Sequence, residues 1–201
     1  MERTALIAIA MMAACPAAAA DLSLIVDRSE RGVELFIKLP TEKTEHLLAP
    51  FPDQFLDAAG LVDIGPFREG TADHGDALWT DVSMDVGGQT SLVEAMSMMV
   101  HPDSIPVSFE DPIDGWIAMA VCNVTDPDAR FDIGVLSTYA GFIAWDVAGY
   151  DQVSITFPAA MEIDVKEFVE GREIGSFTVA LAEGDTLALD PVTRWERWRF
   201  W

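Results

Sequence analysis

The residue types best suited to chemistry are the thioethers and imidazoles near residue 98. Met98 and His101 lie three positions apart, and His74 lies upstream in an acidic stretch. Thioether sulfur and imidazole nitrogen suit Cu(I), so His74, Met98 and His101 are the candidate metal ligands and copper is the candidate cofactor. A hydrophobic core is the competing interpretation, because the neighbouring methionines follow Leu92 at helical spacing.

His74 is also the centre of a second candidate site. Asp73 and Asp76 flank it, and Asp63 lies upstream. An imidazole beside carboxylates can bind Zn²⁺ or act as a general base. The spacing matches no closed ligand set, and a chain with 34 acidic residues places carboxylates beside a histidine by chance. A solvated loop is therefore the favoured interpretation.

Other catalytic and binding motifs are missing from the sequence. Residues 126–132 begin like a calcium loop, but Phe131 replaces the required Gly and Ser137 replaces the required Glu. There is no nucleotide-binding fingerprint, no nucleophile elbow and no HExxH zinc motif. The sequence therefore favours a non-enzymatic binding or assembly module, with copper handling as the alternative and an enzyme built on His74 third.

The C-terminal segment 193–201 reverses the charge of the rest of the chain. It combines arginine with tryptophan, and its candidate docking residues are Arg194, Trp195, Arg197, Trp198, Arg199 and Trp201. A helix with this pattern suits a membrane interface or the acidic surface of a partner. The alternative is a final strand or clasp in which tryptophan covers the edge of the sheet and arginine pairs with the acidic surface.

Composition limits the classes of partner. The chain has 201 residues, 34 acidic and 12 basic, and a formal net charge of −22. Nucleic acid is not an expected partner, because counterion release requires lysine and arginine. Half of the residues are apolar, which is enough for a sizeable core. Beyond residue 20 no apolar run is long enough for a transmembrane helix.

Residues 1–20 have the pattern of a signal peptide. Ala5–Ala14 is a short apolar run, and small residues precede a cleavage point after Ala20. The alanine-rich composition is typical of bacteria, so we expect a periplasmic or secreted protein. Lipidation at Cys15 is a minor alternative. Cleavage leaves Cys122 without a partner thiol, and its apolar surroundings predict a buried, inert cysteine.

Alternation with a period of two dominates the remaining chain, residues 21–201. The predicted strands cover residues 22–26, 33–39, 78–86, 131–135, 142–147 (after a turn at 139–141), 153–157, 161–165, 177–181 and, after a turn at 183–185, 187–189. Such alternation means that each strand has one buried face and one solvent-exposed face, as is typical of antiparallel sheets. The sequence therefore predicts a single all-β domain, an antiparallel sandwich or open barrel.

Two predicted helical regions and two predicted loops depart from this pattern. Ser91 and Glu94 have the spacing of a capping box, which predicts one short helix near 91–100. Short helical pieces are expected within 41–60. Residues 61–76 and 102–115 are rich in Gly, Pro and charge, and we expect irregular connecting loops there.

Overall fold

A computed structural model describes residues 20–65, 72–124, 126, 128–145 and 147–193. The strands are β1 (Leu22–Ser29), β2 (Gly32–Pro40), β3 (Val62–Asp63), β4 (Ser83–Val86), β5 (Gln89–Thr90), β6 (Glu94–Pro102), β7 (Arg130–Phe131), β8 (Leu136–Trp145), β9 (Val153–Thr156), β10 (Met161–Val169), β11 (Arg172–Leu181) and β12 (Thr186–Leu189). The α-helices are α1 (Thr44–Leu47), α2 (Ala72–Trp79) and α3 (Pro112–Ala120). Single 3₁₀ turns cover Thr41–Lys43, Asp53–Phe55 and Ile133–Val135.

The strands form two main sheets with one core between them. The larger sheet has the order β11-β10-β1-β2-β8-β6, and the smaller has the order β12-β9-β4-β5. Leu24 and Leu35 of the larger sheet share a cluster with Met84 and Ile155 of the smaller one. This arrangement confirms the predicted all-β, sandwich-like fold. One neighbouring pair, β1 with β10, is parallel, which alternation within each strand does not reveal.

The prediction of a helix near 91–100 is wrong. Residues 94–102 form the edge strand β6, which pairs antiparallel with β8. Met98 to Pro102 are all buried, and a continuous apolar run of this kind fits a strand covered on both faces. Leu92, which the helical interpretation placed on the buried face, is 79% exposed.

Three other boundaries also differ from the prediction. The segment expected as a strand from residue 78 begins as the end of α2, and β4 starts only at Ser83. The two expected loops contain the first turns of α2 and α3. The turn expected at 139–141 is wrong, because these residues lie inside the continuous strand β8. Gly141 does not form a turn there; its missing side chain leaves room for Met119 of α3. A Cβ at Gly141 would lie 2.3 Å from Met119 Sδ, so this glycine admits a helix above the sheet.

One end of the sandwich is closed by a buried arginine. Arg28 is fully buried at the end of β1. Its Nε donates to Gly149 O at 2.8 Å and its Nη1 to Asp190 O at 2.7 Å, while Glu167 supplies the opposite charge. A buried guanidinium requires this full set of acceptors.

Among the described residues, no helix has the length and apolar character needed to cross a membrane.

Candidate docking surface

Helix α3 lies on the outer face of the larger sheet and begins with strong local signals. The Asp111 side chain accepts from Asp114 N at 2.9 Å and caps the helix. Pro112 occupies the first turn, where its missing N–H costs nothing. Val121 ends the helix with extended backbone. The segment therefore has its own start and stop, although nine residues need tertiary packing to remain helical.

The inner side of α3 packs on a second hydrophobic cluster. Its buried members are Ile25, Phe36, Phe109, Ala118, Met119, Tyr139 and Phe168. Gly115 allows the closest approach, because a Cβ there would lie 2.5 Å from Cγ of Phe36. The helix backbone is thus pressed directly onto the sheet.

His101 fixes the C-terminal half of α3. Its Nε2 donates to Ala118 O at 2.7 Å, and Asn123 Nδ2 donates to its Nδ1 at 3.4 Å. The ring meets Tyr139 edge-on, with centroids 5.1 Å apart. These partners assign the neutral tautomer with hydrogen on Nε2. Burial lowers the pKa of His101, because the protonated ring would lose its hydration.

The outer side of α3 is also apolar. Ile113, Trp116, Ile117 and Val121 are 68%, 45%, 52% and 45% exposed. The spacing of Ile113, Trp116 and Ile117 places them along one side of α3, and Val121 follows directly after its last residue. We call these four residues the α3 ridge. A surface helix normally turns polar residues outward, so an apolar outward face marks a site of interaction.

Trp116 is held in place before any partner binds. Its ring meets Phe36 edge-on at 5.9 Å between centroids. Its Nε1 donates to Glu34 Oε2 at 3.2 Å. A fixed aromatic side chain loses little conformational entropy on binding, which is a property of interface hot spots.

Carboxylates border the ridge beside Trp116 and at the start of α3. Glu34, which holds Trp116, lies opposite Asp27 in the β1–β2 register. Burial raises the pKa of Asp27 to about 6, and the charges of Glu34 and Glu170 add to the effect. Asp111 and Asp114 lie at the start of α3. The surface therefore combines an apolar centre with an acidic rim.

The three candidate metal ligands are not brought together. Met98 lies in the core between the sheets. His101 is three residues further along the same strand, which turns it to the opposite face, beneath α3. His74 lies on α2, where Gln54 Nε2 donates to its Nδ1 at 2.6 Å and its ring contacts Phe55. The described part of the chain holds no group of three or more His, Cys, Asp or Glu side chains arranged for a metal ion.

The acidic neighbours of His74 have other partners. Asp76 Oδ1 accepts from Ala95 N at 3.0 Å, and Asp63 forms an ion pair with Arg130 at 2.9 Å. These carboxylates hold elements of the fold together. The side chain of Asp73, the third predicted acidic neighbour, lies outside the described residues.

Two further sequence expectations concern the end of α3 and the end of the chain. Cys122 is half-buried, so the expectation of full burial is wrong; its Sγ donates to Val124 O at 3.4 Å. The docking residues predicted within 194–201 lie outside the described residues. The last described residues are Val192, which is buried and donates from its N to Tyr150 O at 2.8 Å, and Thr193.

Sequence reasoning missed the α3 ridge, although a signal was present. Ile113, Trp116 and Ile117 recur with helical spacing directly after the Asp111-Pro112 start signal. The proline and acidic residues before them instead favoured a loop. Comparison with protein-family models and with curated proteins gives no match for this chain.

Proposed function

We propose that this protein is an exported, non-enzymatic binding or assembly module of the bacterial envelope, and that it binds a protein partner through the α3 ridge. One observation carries the proposal. Ile113, Trp116 and Ile117 are exposed on α3 and Val121 directly after it, while the other side of the helix is packed on the sheet. Leaving them in water is unfavourable, and covering them with a partner would recover that free energy.

The rim indicates the chemistry of the partner. Carboxylates beside Trp116 and at the start of α3, together with a net charge of −22, would repel an anionic bilayer surface and attract lysine and arginine. The expected partner surface is an apolar hollow bordered by basic residues. Such charges set specificity and association rate, while the apolar centre supplies most of the affinity.

The start of the fold supports export. Asp21 follows the predicted cleavage point, and its N donates to Glu162 O at 2.9 Å. Its carboxylate pairs with Lys43 at 2.6 Å. Lys43 lowers the pKa of Asp21 through this bond. Cleavage after Ala20 would thus leave a chain whose first residue is already bonded to the sheet.

Copper handling has less support as a function. Both ring nitrogens of His101 already have hydrogen-bond partners, Ala118 O and Asn123 Nδ2, which counts against its use as a copper ligand. The predicted docking role of 194–201 is a separate proposal, for a partner surface of different charge. Its arginines would suit an acidic surface, which is the opposite of what the ridge attracts.

Site-specific photo-cross-linking in the producing cell tests the proposal. A photoreactive residue at position 117 lies on the ridge, and the same residue at position 92 is the control, because Leu92 is more exposed (79% against 52%) but lies beside α2. We expect one discrete adduct from position 117 and none from position 92. Equal labelling from both positions, or none from position 117, would contradict the proposal.

A further inference from the structure

The β11 strand is a long sheet edge. In the order β11-β10-β1-β2-β8-β6, it has β10 on one side, and no described strand pairs with its other side. It extends over ten residues, Arg172–Leu181. Such an edge presents a row of backbone N–H and C=O groups that can pair with another strand.

The opposite edge of the same sheet is protected. Helix α2 runs beside β6, and Asp76 Oδ1 accepts from Ala95 N at 3.0 Å. Gly75 permits the close contact, because a Cβ there would lie 2.8 Å from the Cβ of Ala95. The chain therefore covers one edge with a helix and satisfies a backbone donor there.

Within the described part of the chain, no such protective feature is found at the β11 edge. Residues 174–181 contain no charged residue and no proline, although 23% of the chain is charged. The irregularity in register opposite Glu167 and Phe168 lies near the start of the strand and leaves Gly175–Leu181 regular. Phe177 in this regular part is 42% exposed. A flat, uncharged edge of this length favours strand addition.

We propose that β11 pairs antiparallel with β11 of a second copy of this chain, about a two-fold axis at Thr178. This register places Phe177 of each copy opposite Val179 of the other. Val179 packs against the core between the sheets, so the two aromatic–β-branched pairs extend that core across the dimer. Such pairs are among the favourable cross-strand contacts.

The same register explains why a second copy fits. An isologous contact requires a self-complementary surface. Gly175 lies opposite Leu181, and Thr178 lies opposite itself on the outer face, where threonine pairs are favourable. No charged residue of either copy is opposed within Gly175–Leu181. The sheet of six strands becomes a continuous sheet of twelve.

Charge sets the conditions for this dimer. Each copy carries a formal charge of −22, and two such bodies repel at low ionic strength. At physiological salt the Debye screening length falls to about 8 Å, which removes most of the long-range electrostatic repulsion between the two copies. We therefore expect dimerisation to strengthen as salt is added.

Sedimentation and cysteine cross-linking of the purified protein test the inference independently of the α3 ridge. In a Cys122→Ser background, Thr178→Cys places two thiols opposite each other, with Cα atoms about 4.5–5.5 Å apart. Ser176→Cys is the matched control on the same face. Its two copies would be four residues out of register, about 13 Å apart.

We expect a concentration-dependent dimer that strengthens with salt, and a disulfide-linked dimer from Thr178→Cys at least tenfold more abundant than from Ser176→Cys. A monomer at every concentration and salt would overturn the proposal. Equal cross-linking from the two positions would also overturn it, because the dimer would then use another surface.

Discussion

Gly115 of α3 lies against the ring of Phe36 on β2, with no room between them for a side chain. A Cβ at position 115 would meet Cγ of Phe36 at 2.5 Å. This contact seats the helix on the sheet and leaves its opposite side in water. The exposure of Ile113 and Ile117 is thus a consequence of how closely the helix packs.

Gly115→Ala is expected to destabilise the fold. The added methyl group must displace Phe36 or lift α3, and overpacking of this kind costs roughly 1–3 kcal/mol. Urea unfolding at neutral pH measures the loss. Gly175→Ala, measured at a concentration where the protein is monomeric, is the control, because nothing lies within 4 Å of its built Cβ in the single chain. A loss no larger than that of the control would show that α3 does not rest on Phe36 in this way.

His101 is expected to stabilise α3 in its neutral form. His101→Leu removes the donor to Ala118 O and should cost about 1–3 kcal/mol, because a buried carbonyl loses its partner. His101→Gln retains an N–H donor and should cost less. Urea unfolding of both variants and the wild type gives the comparison.

The pH dependence of His101 has a definite sign. The folded-state pKa is lowered, so the unfolded chain takes up a proton first as pH falls below about 6.5. The wild type therefore loses this stabilisation below that pH, and its advantage over His101→Gln should shrink between pH 7.5 and 5.5. A constant difference would contradict a buried, neutral histidine.

Asp27→Asn is expected to stabilise the protein at neutral pH. The pKa of Asp27 is raised to about 6 in the folded state, so its charge opposes folding above that pH. Asn can still accept from Gly171 N, which Asp27 Oδ1 does at 3.0 Å.

The free energy of unfolding should rise by about 1–2 kcal/mol at pH 7.5. This is less than the pKa shift alone would give, because Asp27 is only half-buried and solvent screens its charge. The gain should diminish as pH falls from 6 towards 4, where the folded wild type is protonated. Thermal unfolding across this range checks it. An unchanged gain at pH 4 would mean that Asp27 titrates normally.

The secreted protein is expected to begin at Asp21. The short apolar run and the small residues before it predict cleavage after Ala20. Intact mass spectrometry of the secreted form decides the question. A mass that includes Cys15 with a lipid would replace this prediction with the lipoprotein alternative.

Deletion of residues 194–201 separates a docking role from a structural one. If Arg194, Trp195, Arg197, Trp198, Arg199 and Trp201 form a docking element, the truncated protein should melt at the wild-type temperature and lose envelope or partner binding. A melting temperature several degrees lower with binding retained would instead identify the segment as part of the fold.

The fold could be predicted from the sequence wherever one face of a strand is wet. Strands β9, β10 and β12 alternate clearly for that reason. Prediction failed where burial is two-sided or where a helix covers a sheet. At β6, both faces are buried, and the methionines there fit a helix as well as a strand.

The candidate site was harder to predict than the fold. Met98 and His101 are close in sequence, but a strand separates them onto opposite faces, which a predicted helix would not have done. The α3 ridge depends on the seating of a helix on Phe36, a contact between residues 79 positions apart (115 − 36 = 79). Local patterning carries no information about such a contact.

Partner binding by a ridge variant tests the central claim most directly. With the partner captured from position 117 in hand, titration calorimetry compares the wild type with the double variant Ile113→Gln, Ile117→Gln and with the control Leu92→Gln. We expect the double variant to bind at least tenfold more weakly, about 1.4 kcal/mol, with unchanged melting temperature, and the control to bind like the wild type. Wild-type affinity in the double variant would contradict the claim that the α3 ridge is the binding surface.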